Sequence, residues 1–283
     1  MMISRDSPER PAQVVGLPFP MATTLRVIQW NIYMSCHIES IANFIMNSIG
    51  QGPTIVCLEE VKRSAYDTLR SLQSLTSSCL SLDLRKPGGN EGDERKMGIA
   101  VFSFGLPIIS PELLDRTVFP ERTLSVLLHG VFGPIRVVAF HSLTGVGYYK
   151  AKSSNFASIA DYLQLHKSDL DFLCFDANEP WHDDIDPTKL VFWPRGKTAG
   201  LIMGSEKAHD LSDSYVEHLR STGHIDNARD PLTVSHITQG TPRRYDYIMH
   251  SRRWTVVNCS YPYAESIAAS SDHSAVIADY ELR

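Results

Sequence analysis

The sequence predicts an α+β fold built on mixed β-sheets, and three observations carry that expectation. Short apolar runs rich in β-branched and aromatic residues recur along the chain and read as buried strands. Between some of these runs stand helix-length stretches with apolar residues near the 3.6 period; between others stands only a hairpin signal. That mixture argues against an uninterrupted βαβ barrel. Two sheets packed face to face, with helices outside, would bury such strands on both faces.

Taken in order, Leu25–Tyr33 (LRVIQWNIY) is the first buried strand. His37–Ile49 follows as a helix through Ile38, Ile41, Ala42, Ile45 and Ile49, and Gly50 and Gly52 stop it. Thr54–Leu58 is a second strand, and Val61–Leu75 a helix with Ala65, Leu69, Leu72 and Leu75 on one face. A Gly- and charge-rich loop, Lys86–Lys96, leads into the strand Met97–Phe104. Thr123–Leu128 and Ile135–His141 flank HGVFG as a hairpin. Ala151–Leu165 reads as a helix through Phe156, Ile159, Ala160 and Leu163, and Asp171–Phe175 as a strand. Glu179–Gly240 is irregular, with four prolines, and Tyr245–His250 and Ser274–Tyr280 close the chain as strands. Residues 1–24 carry charges, four prolines and no apolar core segment, so a disordered tail rather than a secretory signal is expected, with one domain over 25–283.

The formal net charge of −5 excludes a global basic field of the kind that holds a long polyanion nonspecifically. No stretch approaches the roughly 18 apolar residues of a membrane span. Five scattered cysteines, Cys36, Cys57, Cys79, Cys174 and Cys259, have no CxxC spacing and read as free thiols in a reducing, cytoplasmic setting.

The chemistry stands at the strand ends. The apolar runs terminate in Trp30-Asn31, Glu59-Glu60, Phe140-His141, Asp176-Ala177-Asn178 and Asp246, and Ser271-Asp272-His273 precedes the last strand. Singly, each has an ordinary explanation as a turn residue, a helix cap or a solvated carboxylate. Six in order, each at a strand end, point to an assembled site. Phosphodiester hydrolysis needs a hard cation, a group to orient water and help for the leaving oxygen. Glu60 with an aspartate suits Mg²⁺, an Asp246–His273 bond would fix the imidazole tautomer, and Asn31 and Asn178 can donate to phosphate.

This ordered set resembles the endonuclease/exonuclease/phosphatase superfamily. Trp30-Asn31 matches its opening WN, Leu58-Glu59-Glu60-Val61 its LQEV, Asp176-Ala177-Asn178 its DxN, Arg244–Ile248 its RxDYI and Ser271–His273 its SDH, over about residues 25–283. The resemblance implies a four-layer αββα sandwich with a cleft at one edge and a Mg²⁺-dependent phosphodiesterase, Mn²⁺ being able to substitute. It further implies Glu60 as principal metal ligand with Asn31 and Asp272, and Asp176 orienting water with Asn178 on the phosphate. His273, buttressed by Asp246, is then the acid/base or a phosphoryl-oxygen ligand. His141 is similar to the histidine of the deoxyribonuclease, sphingomyelinase and tyrosyl-phosphodiesterase branches, hydrogen-bonding a non-bridging oxygen or protonating the leaving group. The chain departs from the pattern at Tyr33, where many relatives carry Asp, at Phe175 in place of Gly, and at Ser103-Phe104 in place of SR.

For the substrate, Arg122, Lys152 and Arg244 are the cations expected at the cleft. Trp181, Trp193 and Tyr215 in the long segment can stack on a ring, and His182, Asp183, Asp184 and Asp186 form a second metal-like cluster more easily read as a polar turn. Nucleic acid or a nucleic-acid end is the expected substrate, with no protein partner. A lipid or small phosphoester is the alternative, and an inactive phosphate-ligand-binding protein the second.

Overall fold

The computed structural model describes residues 24–85, 96–114 and 116–283. The expected tail through residue 23 and residues 86–95 of the Gly-rich loop lie outside the described residues.

In chain order the strands are β1 Thr24–Asn31, β2 Thr54–Lys62, β3 Ser77–Leu80, β4 Met97–Phe104, β5 Ile108–Glu112, β6 Thr123–Gly130 and β7 Gly133–His141. They continue as β8 Phe172–Asp176, β9 Ser212–Asp213, β10 His236–Thr238, β11 Thr241–Arg243, β12 Asp246–His250, β13 Trp254–Ser260 and β14 Val276–Leu282. One six-stranded sheet has the order β13-β14-β1-β2-β4-β3 and the other β5-β6-β7-β8-β12-β9; β10 and β11 form a separate ribbon. Each large sheet is antiparallel except for one central parallel pair, β1–β2 in the first and β7–β8 in the second. Both sheets are therefore mixed, as expected.

The pleat sorts the side chains into three apolar layers. Leu25 and Val27 of β1, Ile55 and Cys57 of β2, Val137 and Ala139 of β7 and Cys174 of β8 point between the sheets and pack together. The alternate residues Ile28, Trp30, Val56 and Leu58 pack outward against Ile41 and Ile45 of the helix Ile38–Ser48 and Ala65 and Leu69 of the helix Arg63–Leu69. Val138, Phe140, Leu173 and Phe175 pack outward against Phe156, Ile159 and Leu163 of the helix Lys150–His166. Helix, sheet, sheet, helix is the layer order.

Several boundaries differ from the sequence reading, most by one or two residues. Tyr33 leaves β1 for a 3₁₀ turn, Tyr33–Ser35. Strand β2 runs on to Lys62 through a bulge between Leu58 and Val61, so the following helix begins at Arg63 and ends at Leu69. The last strand is shifted to Val276–Leu282. Edge or near-edge strands β3, β5 and β13 carry few of the continuous apolar residues that mark a central strand, which is why the pattern passed over them. All five cysteines are free, with Cys57, Cys174 and Cys259 buried. No helix among the described residues is long and apolar enough to cross a membrane.

Candidate active site

The two parallel pairs place the site. Parallel strands end on the same edge, so Asn31 at the end of β1 pairs in register with Glu59 of β2, and His141 at the end of β7 pairs with Asp176 of β8. Asp246, the first residue of antiparallel β12, pairs with Asp176. Facing sheets bring these ends together.

Asp176 is the hub. It is 1% exposed; its Oδ1 accepts the Asn178 backbone N–H at 2.9 Å, and its Oδ2 accepts Asn31 Nδ2 at 3.1 Å and Asn178 Nδ2 at 3.3 Å. The same Oδ2 lies 3.6 Å from His141 Nε2 and 3.9 Å from His273 Nε2. These two gaps exceed hydrogen-bond length, so a water or phosphate oxygen standing to one side can contact both groups at once. Burial foremost, with Asp246 adding to it against the pull of His273, raises the Asp176 carboxyl to about 7.

The two histidines are in opposite states. His273 Nδ1–H donates to Asp246 Oδ2 at 2.8 Å. Burial works against its charge, but Asp246 and then Asp176 outweigh it and hold the imidazolium up to about 10. His141 goes the other way: burial, then Arg122 and His273, push it well below the usual histidine range. Arg122 Nη1 stands 3.5 Å from His141 Nδ1. A guanidinium only donates, so Nδ1 is the bare nitrogen and the proton sits on Nε2, facing Asp176 and, at 3.8 Å, Glu60 Oε1. Arg122 is itself held over the rings of Phe119 and Tyr148, at 6.0 and 5.6 Å.

Backbone conformation aims the carboxylates. Within β2, Leu58 points outward and Glu59 inward; the bulge places Glu60 at φ 58°, the left-handed region, and turns its side chain to the same edge as His141. Glu60 Oε2 accepts the Met34 N–H at 2.9 Å, and Asn31 Oδ1 accepts the Tyr33 N–H at 3.1 Å. Asn178 sits at φ 49°, and its carbonyl accepts Lys152 Nζ at 2.9 Å. Ser271 Oγ bonds the Asn31 carbonyl at 2.6 Å and accepts the His273 N–H at 3.0 Å, while Trp30 Nε1 donates to the His273 carbonyl at 2.9 Å. The Ser271–His273 segment is thereby tied to β1.

The expected metal ligands offer hard oxygens. Among the described residues, Asp272 Oδ1 is a buried atom with no hydrogen-bond partner, and Glu60 Oε1 accepts no hydrogen bond. Carboxylate and carboxamide oxygens of this kind fit Mg²⁺ or Mn²⁺. The tightest groupings of ligand-type atoms among the described residues are different ones: Asp176, Asp246 and His273, and His236, Asp272 and His273, each within 4.8 Å. In the first, one histidine nitrogen is already spent on Asp246, which favours a proton relay over a metal cradle.

Two expected substrate cations are not available to a substrate. Lys152 is 1% exposed, and its ammonium is 2.7 Å from Glu179 Oε1 as well as bonded to Asn178. It fixes the turn after Asp176. Arg244 is 2% exposed, bonded to Asp183 at 2.9 and 3.1 Å and to Asp213 at 2.9 Å. It staples the long segment to β12. The same contacts account for the second acidic cluster: Asp183 answers Arg244, and His182 pairs with Asp230 at 2.8 Å. Tyr215 packs inward against Tyr261.

Sequence reasoning named Glu59 as a strand-end carboxylate without a role, and passed over Gln29 and His236. Gln29 Nε2 bridges Glu59 Oε2 at 2.7 Å and Asp246 Oδ1 at 3.1 Å, all three side chains being fully buried. The signal was present: Gln29 and Glu59 share the inward parity of Val27 and Cys57, where an apolar residue is the rule. His236 stacks on His273 at 4.3 Å and bonds the Asp272 carbonyl through Nδ1 at 2.9 Å. It belongs to the ribbon, and nothing in its local sequence marks it.

No family model matches the sequence, and no curated protein matches it. Solved structures do. The crystal structure of humanized D. rerio TDP2 superposes with a TM-score of 0.64 at 11% identity, covering 92% of this chain and all (100%) of that one. The human Nocturnin catalytic domain with bound sulfate gives 0.62 at 17% identity, over 92% and 95% of the two chains. An endonuclease/exonuclease/phosphatase from Beutenbergia cavernae gives 0.62 at 18% identity, over 92% and 72%.

Proposed function

From a chain with the endonuclease/exonuclease/phosphatase fold, we propose a divalent-metal-dependent phosphodiesterase acting on nucleic acid or a nucleic-acid end. The observation that carries this reading is the Asp176 carboxylate, bonded to Asn31 and Asn178 and within 4 Å of two imidazoles in opposite protonation states. Burial and charge partners that push two imidazoles in opposite directions around one raised carboxyl are the pattern of sites that move protons. The similarity to TDP2 and Nocturnin structures supports the reading at the level of fold.

Glu60, Asn31 and Asp272 would hold Mg²⁺, with Mn²⁺ able to replace it. When bound, the cation draws charge from a phosphoryl oxygen. The chain's own residues do the rest. Asp176 orients a water and takes its proton as the new P–O bond forms. His141 Nε2–H and Asn178 Nδ2 face the non-bridging oxygens and stabilise their growing charge, with Arg122 holding the His141 tautomer from behind through Nδ1. The bond to the leaving oxygen breaks, and that oxygen takes the Nε2 proton of His273. Asp246 keeps the ring aligned throughout through Nδ1. Asp176 then returns its proton to His273 through a water that contacts both, the 3.9 Å gap being too long for direct transfer, so the cycle closes with no net proton on the protein. Free cysteines fit a cytoplasmic setting.

The test is turnover with Mg²⁺ or Mn²⁺ on single- and double-stranded DNA, RNA, a 5′-tyrosyl oligonucleotide and sphingomyelin, beside Asp176→Ala and Glu60→Ala. Metal-dependent cleavage of a nucleic-acid substrate that drops about 10²–10⁴-fold in each variant is expected. Cleavage of sphingomyelin alone would move the substrate to lipid, and unchanged turnover in both variants would overturn the site.

A further inference from the structure

A band of alternating aromatic and guanidinium groups runs beside the Asp176–Asn178 turn, outside the machinery above. Arg195 lies over the Tyr149 ring at 4.0 Å. Two residues before Arg195, Trp193 meets Trp181 edge to face at 4.2 Å, and Arg243 lies over Trp181 at 4.4 Å. Its members flank the segments that leave the catalytic edge. Tyr149 follows β7 after the short helix Gly145–Tyr148, Trp181 is three residues past Asn178, and Arg243, the last residue of β11, is three residues before Asp246. Three residues of chain reach about 10 Å at most, which sets Trp181 within a nucleotide or two of the reacting phosphate.

The band is built rigidly although it is exposed. Tyr149 is 57% exposed and Trp181 45%. Arg195 is fixed by its Nη1 bond to the Gly145 carbonyl at 2.9 Å, and its own carbonyl accepts Ser153 Oγ at 2.9 Å. Arg243 donates to the Trp181 carbonyl. Trp193 N–H donates at 2.8 Å to Glu179, the fully buried carboxylate that also holds Lys152. Each exposed ring thus carries a guanidinium and still presents aromatic surface to solvent.

We propose that Tyr149 and Trp181 are stacking platforms for unpaired bases of a single-stranded nucleic acid, with Arg195 and Arg243 reinforcing them. The inference rests on the phosphodiesterase reading above and names the substrate class for that site. Aromatic rings held in place, beside fixed positive charge and a phosphate-handling centre, are the two parts of a single-strand groove. A duplex hides the faces these rings would meet. A membrane would have to take up two arginines with the rings, which costs several kcal/mol in hydrocarbon. The local positive charge also answers the objection raised by the net charge of −5: affinity here comes from ring faces and a few fixed cations.

The experiment compares a fluorescein-labelled 12-mer of thymidylate with a 12-mer of the same backbone carrying abasic residues, by anisotropy, on Asp176→Asn protein so that nothing is cleaved. Turnover of a bis(p-nitrophenyl) phosphate probe is followed on protein with Asp176 intact. Trp181→Ala and Tyr149→Ala should each weaken the thymidylate strand about 5- to 150-fold and leave the abasic strand within twofold. Trp181→Phe should recover most of the loss, and probe turnover should not change. Equal losses on both strands, or none, would overturn the proposal, as would tighter binding of the same sequence as duplex. Capture by phosphatidylcholine/phosphatidylserine vesicles that is lost in Trp181→Ala would also overturn it, in favour of a lipid surface. Base-dependent binding without turnover of any phosphoester would keep the platforms and refute the phosphodiesterase reading instead.

Discussion

Replacing Glu59 by Gln should make the protein's stability less sensitive to rising pH, in a direction the structure fixes. Glu59 is fully buried on the inner face of β2 and accepts one hydrogen bond, from Gln29, while its Oε1 has no partner. Burial first, then Asp246 and Asp176, raise its carboxyl well above the usual value of 4.5. The folded chain therefore keeps a proton that the unfolded chain gives up. That favours folding at low pH, and the advantage is lost as pH rises above 4.5, at about 1.4 kcal/mol per unit while the folded carboxyl stays protonated. Glutamine has nearly the same shape and no proton to lose, so Glu59→Gln escapes that slope. Asp176, raised to about 7, titrates in both proteins and drops out of the difference. Urea unfolding in EDTA at pH 5.5, 6.25 and 7 reads the effect: the variant should gain on the wild type as pH rises, at up to about 1.4 kcal/mol per unit. Parallel curves would show that Glu59 is ionised in the folded protein and would refute the reasoning.

Other perturbations have equally definite expectations. Arg244→Met strands Asp183 and Asp213 without their partner and should cost about 3–5 kcal/mol in a melt, yet leave KM unchanged at a temperature where the variant is folded; a raised KM would return Arg244 to the substrate. His209 and His250 are each lowered to about 4, burial being the main cause. The stability they contribute is full above pH 6.5 and is lost as pH falls toward 4, at most about 3 kcal/mol each, so His250→Asn should flatten the acid limb of a fluorescence-monitored unfolding series. Gly196→Ala puts a Cβ 1.6 Å from Glu179 Oε1, a carboxylate pinned by Lys152 and the Trp193 amide. It should lower the melting midpoint by an equivalent of roughly 1–3 kcal/mol, and an unchanged midpoint would show that Glu179 is free to move.

Most of the fold was legible because central strands and helices are local patterns. The runs around Val27, Ile55, Val137 and Phe172 announce burial on both faces, and the spacing of Ile41, Ile45, Phe156 and Leu163 announces helices. Strands β3, β5 and β13 stayed hidden because an edge strand carries too few buried residues to stand out from a loop. The ordered set from Asn31 to His273 was visible as a set, because each member stands next to an apolar run.

The roles of the charged residues were not legible. Lys152 and Arg244 look like substrate cations in the sequence, and the structure places both in buried ion pairs with carboxylates 27 and 61 residues away (152 to 179; 183 to 244). Glu59 and Glu60 are neighbours of identical type, and only the bulge after Leu58 decides that one is sealed between the sheets and the other faces the cleft. The sequence by itself determined which residue types stand at which strand ends, since burial periodicity is written locally. Tertiary structure alone decided which ends share an edge, which charges find partners, and which of two like residues faces the cleft. Those depend on contacts between residues far apart in the chain, and on the loss of solvent that such contacts bring.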